Sequence, residues 1–293
     1  MTRTSVKILT GLLFALAIGV GSLHAQSAAG PQGPEGEHRR QLWLVPSPER
    51  NVLMRSTVFR PAGAGPFSLV VINHGSSQRL EQRASLSVPA FETMAHWFVA
   101  RGYAVVVPQR PGHGETGGTY LEDQRGCDEA DFHGSGLRTA DSIAAAIEYM
   151  TGQPFVRKTG VVVVGFSAGG WGALALASRN PRGVAAVINF AGGRGGRVNG
   201  QPDNNCAPSR LIDAVRAFGS SARVPTLWVY AENDSYFAPA LSKRMADAYR
   251  IAGGRVDYQL VPRFGDDGHW LMQSPTGEPV WGPVVERFLA GKR

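Results

Sequence analysis

Short β-branched runs alternate with helically spaced apolar positions through most of the chain. Leu69-Val70-Val71-Ile72 is continuously apolar, as a strand covered on both faces is. Phe91, Met94, Ala95 and Phe98 then recur at helical spacing. Residues 103–107 predict the next strand, closed by Pro108. Ala140, Ile143, Ala144 and Ile147 mark one face of a helix. Residues 161–164 form the most apolar strand, followed by a helix of small residues over 168–178. Further strands are predicted at 184–190, at 226–230 after an irregular stretch, and at 256–261. Leu241, Met245 and Ala248 predict a helix, and 280–289 a closing one. Residues 52–59 alternate apolar and polar, as an early edge strand does. This order predicts an α/β domain with a mainly parallel central sheet flanked by helices on both faces. No internal repeat interrupts it. Residues 191–208 break the rhythm with Gly192, Gly193, Gly195, Gly196 and Gly200 and almost no apolar residue. A loop this long in a compact domain is usually functional, and a partial lid is expected there.

The N-terminus follows a different pattern. Arg3 and Lys7 precede an uncharged apolar run over 8–20, and Leu23-His24-Ala25 offers a small residue at a cut position. Residues 1–25 are therefore expected to be a secretory signal peptide, the run being short for a bilayer span. Residues 26–44 are expected to be a flexible lead-in and 45–293 the folded domain. The expected location is the periplasm or the medium. Cys127 and Cys206, an even pair in an exported chain, are a disulfide candidate.

Composition adds limits. Hydrophobic residues at 43% suffice for a large core, and charged residues at 18% argue against disorder. The formal net charge of +7 raises nucleic-acid binding, but no basic run exceeds Arg39-Arg40. Neither a nucleic-acid partner nor, after signal cleavage, a membrane partner is expected. Nothing in the sequence sets an oligomeric state.

The candidate chemistry lies at Gly165-Phe166-Ser167-Ala168-Gly169, between a predicted buried strand and a helix. This G-x-S-x-G pattern forces a serine onto a sharp turn, with small flanking residues that let strand and helix approach. A serine hydroxyl needs a base, and the base needs an acid to orient it. His269 is the one histidine after Ser167 and sits between the last predicted strand and helix. Asp234, just past the strand at 226–230, is the expected acid; Glu232, Asp266 and Asp267 are expected to be solvated or turn-forming. The oxyanion donors are expected to be the Ala168 amide and, from Asn73-His74-Gly75-Ser76-Ser77, the Ser76 amide, with Gly75 as the alternative. His74 is expected to be structural.

These motifs, with Arg110-Pro111-Gly112-His113-Gly114-Glu115-Thr116, resemble the α/β-hydrolase superfamily and, within it, the dienelactone-hydrolase-like and peptidase-like esterases. The resemblance covers nearly all of the chain after about residue 45. It implies an α/β-hydrolase fold and a turn role for His113. Dienelactone hydrolases carry Cys as nucleophile where this chain has Ser167, which argues against dienelactone cleavage itself. The expected activity is therefore a serine hydrolase acting on a small to medium carboxylic ester through an acyl-enzyme. A peptidase or amidase of the same fold and a non-catalytic binding protein are the alternatives. No metal and no organic cofactor is expected; His74, His113 and His133 lack ligand spacing. Trp171, Tyr236, Trp270 and Arg194 are expected substrate contacts, with Phe190, Phe237 and Arg197 nearby.

Overall fold

The computed structural model describes residues 1–2 and 28–292, so the expected signal peptide, apart from its first two residues, lies outside the described residues. The strands are β1 Gly30–Gln32, β2 Gln41–Pro46, β3 Leu53–Phe59, β4 Ser68–Asn73, β5 Tyr103–Pro108, β6 Val161–Phe166, β7 Val184–Phe190, β8 Thr226–Ala231 and β9 Val256–Val261. The helices are α1 Leu80–Ala84, α2 Glu92–Val99, α3 Phe132–Thr151, α4 Ala168–Ser178, α5 Pro208–Ser221, α6 Pro239–Ile251 and α7 Glu278–Leu289. One nine-stranded sheet runs β1-β2-β3-β5-β4-β6-β7-β8-β9. The first three strands and β5 pair antiparallel; from β5 to β9 neighbours are parallel.

The chain leaves β4 toward β5 in one direction, then crosses back to β6 and continues to β9 the other way. Right-handed crossovers therefore place α2 on one face and α3 to α6 on the other. α7 joins α2, where Trp97 and Trp281 meet edge to face at 5.6 Å. The reversal at β4 opens a crevice beyond the carboxyl ends of β4 and β6, where open α/β sheets bind ligands. Val161 to Val164 are buried on both faces, which explains their unbroken apolar run.

Three expectations change. Residues 52–59 do not form an edge: β3 pairs with β2 on one side and β5 on the other. Its Ser56 and Thr57 are buried and satisfied, Ser56 Oγ donating to Met54 O and Thr57 Oγ1 to Pro89 O. The segment 26–44 is not all lead-in, because β1 and the first residues of β2 fall inside it and Trp43 and Leu44 are buried. The stretch before residue 226 is not irregular: α5 buries Leu211, Ile212, Val215 and Phe218 along one stripe. Among the described residues no helix is long and apolar enough to cross a membrane.

Candidate active site

Ser167 sits between the end of β6 and the start of α4 at φ 52°, ψ −118°. For a non-glycine residue this backbone is strained, and the surroundings must hold it. They do: Ser167 N donates to Phe190 O at 2.9 Å, and its carbonyl accepts from Trp171 N at 2.9 Å and Gly193 N at 3.2 Å. The flanking glycines are required by space. A Cβ on Gly165 would lie 2.3 Å from Gly169 O, and one on Gly169 would lie 2.3 Å from Asn73 O. The G-x-S-x-G spacing is thus the close approach of β6, α4 and the end of β4 written in sequence.

His269 lies in a short 3-10 turn, Gly268–Trp270, after β9, and Asp234 in the turn after β8. Both are buried. His269 Nδ1 is 3.1 and 3.3 Å from the two Asp234 carboxylate oxygens. Asp234 Oδ1 also accepts from the Tyr236 and Phe237 amides at 2.8 and 2.9 Å, so backbone donors aim the carboxylate. The imidazole stacks on Tyr236 with centroids 4.0 Å apart and meets Trp270 edge-on at 5.3 Å. Asp267 caps the His269 turn by accepting from its amide at 3.0 Å, and it accepts from Ser235 N and Oγ, tying this turn to the one after β8. Burial opposes its charge, but these hydrogen bonds outweigh burial and hold its carboxyl below the usual range. With Nδ1 engaged, Nε2 is the nitrogen left to exchange a proton.

Ser167 and His269 line the same cavity, of about 1610 Å³, with Ser76, Ala168, Tyr236 and Trp270. No hydrogen bond joins Ser167 Oγ to His269 in this structure. A base and its nucleophile are often loosely placed until the Michaelis complex forms. Gly75 lies directly against the serine: a Cβ there would stand 3.3 Å from Ser167 Cβ. Neither the Ser76 nor the Ala168 amide donates to another described residue.

Beneath this loop is a buried charge cluster that sequence reasoning missed. Glu122 accepts from Arg110 Nε, from Arg110 Nη2 at 3.2 Å and from Arg194 Nη2 at 2.5 Å, and all three residues are buried. Burial favours a neutral Glu122, but Arg110 and Arg194 outweigh it and hold the carboxyl well below the ordinary range. His74 Nε2 accepts from Arg110 N at 3.1 Å, so its Nδ1 bears the proton and donates to Gly75 O at 2.6 Å. Burial, then Arg110 and His113, push the His74 pKa well down, keeping it neutral. Burial likewise lowers His113 to about 4.

The expected substrate contacts divide. Tyr236 and Trp270 line the cavity, as does Phe237. Trp171 does not: it is fully buried, and its indole donates to Phe132 O at 2.7 Å. Phe190 is also a core residue. Arg194 lines the cavity, but its charge is spent on Glu122, and it donates to Thr139 Oγ1 and Tyr120 OH as well. Arg197 reaches Asp267 at 3.4 Å and Ser235 Oγ at 2.9 Å. Arg83 carries no ion pair among the described residues: it is 8% exposed, its Nη1 meets only Ser77 O and Gln78 O, and its Nε has no partner. The loop 191–208 forms one wall of the cavity, and a Cys127–Cys206 disulfide with Cα atoms 5.1 Å apart ties it to the loop before α3. Among the described residues no group of three or more His, Cys, Asp or Glu is placed to hold a metal ion.

No curated protein sequence matches this chain. Solved structures match its fold. A Klebsiella pneumoniae protein assigned as a dienelactone hydrolase is 15% identical over 86% of this chain and 97% of that one, with a TM-score of 0.57. An esterase from Pyrococcus furiosus is 13% identical over 90% and 98%, at 0.58. An acylaminoacyl peptidase from Pyrococcus horikoshii is 13% identical over 90% of this chain but only 42% of its own, at 0.62. The sheet and its crossovers are those of the α/β-hydrolase fold. The model of the dienelactone hydrolase family matches residues 85–269, which include the serine turn, Asp234 and His269. That match spans more than half of the chain, and the protein belongs to the dienelactone hydrolase family.

Proposed function

We propose that this hydrolase cleaves small to medium carboxylic esters through a serine acyl-enzyme. Ser167 attacks the carbonyl carbon while His269 Nε2 takes its proton. Asp234 holds the ring tautomer and stabilises the imidazolium. The Ala168 and Ser76 amides receive the oxyanion. His269 then protonates the leaving alcohol, and a water activated by the same nitrogen resolves the acyl-enzyme. The observation that carries this reading is the buried Asp234–His269 pair, brought to the cavity into which a strained turn sets Ser167.

The cavity also bears on substrate charge. Arg79, Arg83, Arg194 and Arg197 line it against one carboxylate, Glu92, which pairs with Arg40. Arg194 and Arg197 are paired and Arg79 is exposed to solvent, so the buried Arg83, unpaired among the described residues, replaces them as the cation for an anionic substituent on the ester. Export to the periplasm or medium fits the disulfide and the leader-like residues 1–25.

A series of p-nitrophenyl esters, run beside amide analogues, tests the reading. The wild type should turn over esters and label with a fluorophosphonate. Ser167→Ala should lose at least about 10⁴-fold in kcat/KM and all labelling while keeping its melting temperature. Turnover retained by Ser167→Ala would end the reading; faster cleavage of the amides would move it to a peptidase.

A further inference from the structure

The hydroxyl of Ser76 belongs to a chain of side-chain hydrogen bonds with a single consistent direction. His113 Nδ1 faces two carbonyls, Pro111 O at 3.1 Å and Arg110 O at 3.2 Å, so it carries the ring proton. His113 Nε2 is then bare and accepts from Ser76 Oγ at 2.8 Å. Ser76 Oγ, having given its proton, accepts from Tyr120 OH at 3.1 Å. The Tyr120 oxygen accepts in turn from Gln78 Nε2 at 2.8 Å and Arg194 Nη1 at 3.1 Å. Arg194 ends on Glu122. The chain therefore runs from a buried ion pair to the side chain of residue 76.

The peptide between Gly75 and Ser76 is planar, so its C=O and N–H point in opposite directions and are fixed together. His74 Nδ1 grips the C=O at 2.6 Å. The Tyr120–Ser76–His113 chain grips the other end through the Ser76 side chain. An oxyanion donor stabilises the transition state only where its direction is set beforehand. Held at one end alone, this peptide could rotate about its flanking bonds and turn its N–H away from the cavity.

We propose that Tyr120 is a positioning residue: its hydroxyl, backed by Arg194 and Glu122, locks the Ser76 side chain so that the Ser76 N–H points at the developing oxyanion. Tyr120 itself does not line the cavity, and it acts through Ser76. The proposal rests on the reading of Ser76 as an oxyanion donor.

Tyr120→Phe in the full chain tests it, because the ring that stacks under Arg83 at 3.7 Å is kept and only the hydroxyl is lost. The variant should lower kcat for a p-nitrophenyl ester about tenfold with KM unchanged, and weaken a trifluoromethyl ketone transition-state analogue by the same factor. Ser76→Ala keeps the amide but breaks the same chain, so it should show the same loss. The double variant should be no worse than either single one. A Tyr120→Phe enzyme with wild-type kcat and analogue affinity would overturn the proposal, as would a loss confined to KM or additive losses in the double variant. A wild type that neither turns over esters nor labels at Ser167 would sink the proposed function, and this inference with it; an active wild type with an equally active Tyr120→Phe sinks this inference alone.

Discussion

The two sides of Ser167 are held by different means. On the proposed acid–base side, short-range bonds between side chains and backbone do the work. Asp234 is aimed by two amides two and three residues along the chain, and the His269 turn is capped by a carboxylate two residues before it. On the oxyanion side, side chains do the work. Arg110 reaches His74 O across 36 residues of sequence, Tyr120 reaches Ser76 across 44, and Arg194 reaches Tyr120 and Glu122 across 74 and 72. The first design depends on turn geometry and tolerates change around it. The second depends on a buried carboxylate shared by two guanidinium groups, so it carries a large desolvation cost that only complete pairing offsets. Damage to the first side should therefore appear in rate alone, and loss of the buried carboxylate on the second in stability as well.

The largest expected effect lies on the acid–base side. His269→Ala removes the proposed base and should lower kcat/KM about 10⁴-fold, with the urea midpoint close to wild type. Progress curves on a p-nitrophenyl ester and a urea titration of the same preparation check both halves. A variant that lost rate and cooperative unfolding together would erase the contrast.

Glu122→Gln is the matching break on the other side. It leaves Arg110 and Arg194 buried without a counter-charge, and should cost about 3–5 kcal/mol of unfolding free energy. Urea titration reads it directly. Stability within about 1 kcal/mol of wild type would mean that this cluster is not what holds the oxyanion side.

This contrast also explains what the sequence made legible. The Ser167 turn was readable because its requirement is local: Gly165 and Gly169 are the neighbours that would clash. Asp234 and His269 were readable from chain order, because β8 and β9 deliver their following turns to one sheet edge. Arg194 was read as a loop charge near substrate, because its partner Glu122 lies 72 residues away and nothing local marks either as buried. Trp171 was misplaced for a related reason. α4 is buried on all sides, so its pattern carries no facing information, and only the contact with Phe132 shows the indole to be core. β1 was hidden by Gly30 and Pro31, and α5 by the arginine- and serine-rich face it shows to solvent, whereas the apolar Leu42-Trp43-Leu44 of β2 was legible but assigned to the lead-in.

Acid should press on the oxyanion side through His113. Above pH 6.5 its ring is neutral folded and unfolded, and it contributes nothing. As pH falls from 6.5 toward about 4 the unfolded ring takes a proton that burial denies the folded one, so stability is lost across that window. The shift corresponds to about 3 kcal/mol. His74, lowered in the same direction, adds its own share, and Glu122 adds a loss below pH 4.5, where its charged form is no longer retained unfolded. Unfolding free energy from urea should fall between pH 7 and 4, and His113→Asn should flatten that slope in part. An unchanged slope in the variant would remove His113 from the account.

The smallest effect expected concerns Arg83, which belongs to neither side. Its guanidinium stacks 3.7 Å over Tyr120 and makes two contacts to backbone carbonyls, neither of which neutralises it. A buried cation without a carboxylate is costly, and a site that keeps one gains when a substrate supplies the anion. Arg83→Gln retains polarity and length while removing charge. It should raise KM about five- to tenfold for an ester bearing a carboxylate and leave the uncharged isostere unchanged, which is about 1 kcal/mol of binding. Because Tyr120 keeps its hydroxyl bonds in this variant, kcat should hold for both esters. Equal KM changes for charged and neutral esters would show that Arg83 supports the wall of the cavity rather than reading the charge of what enters it.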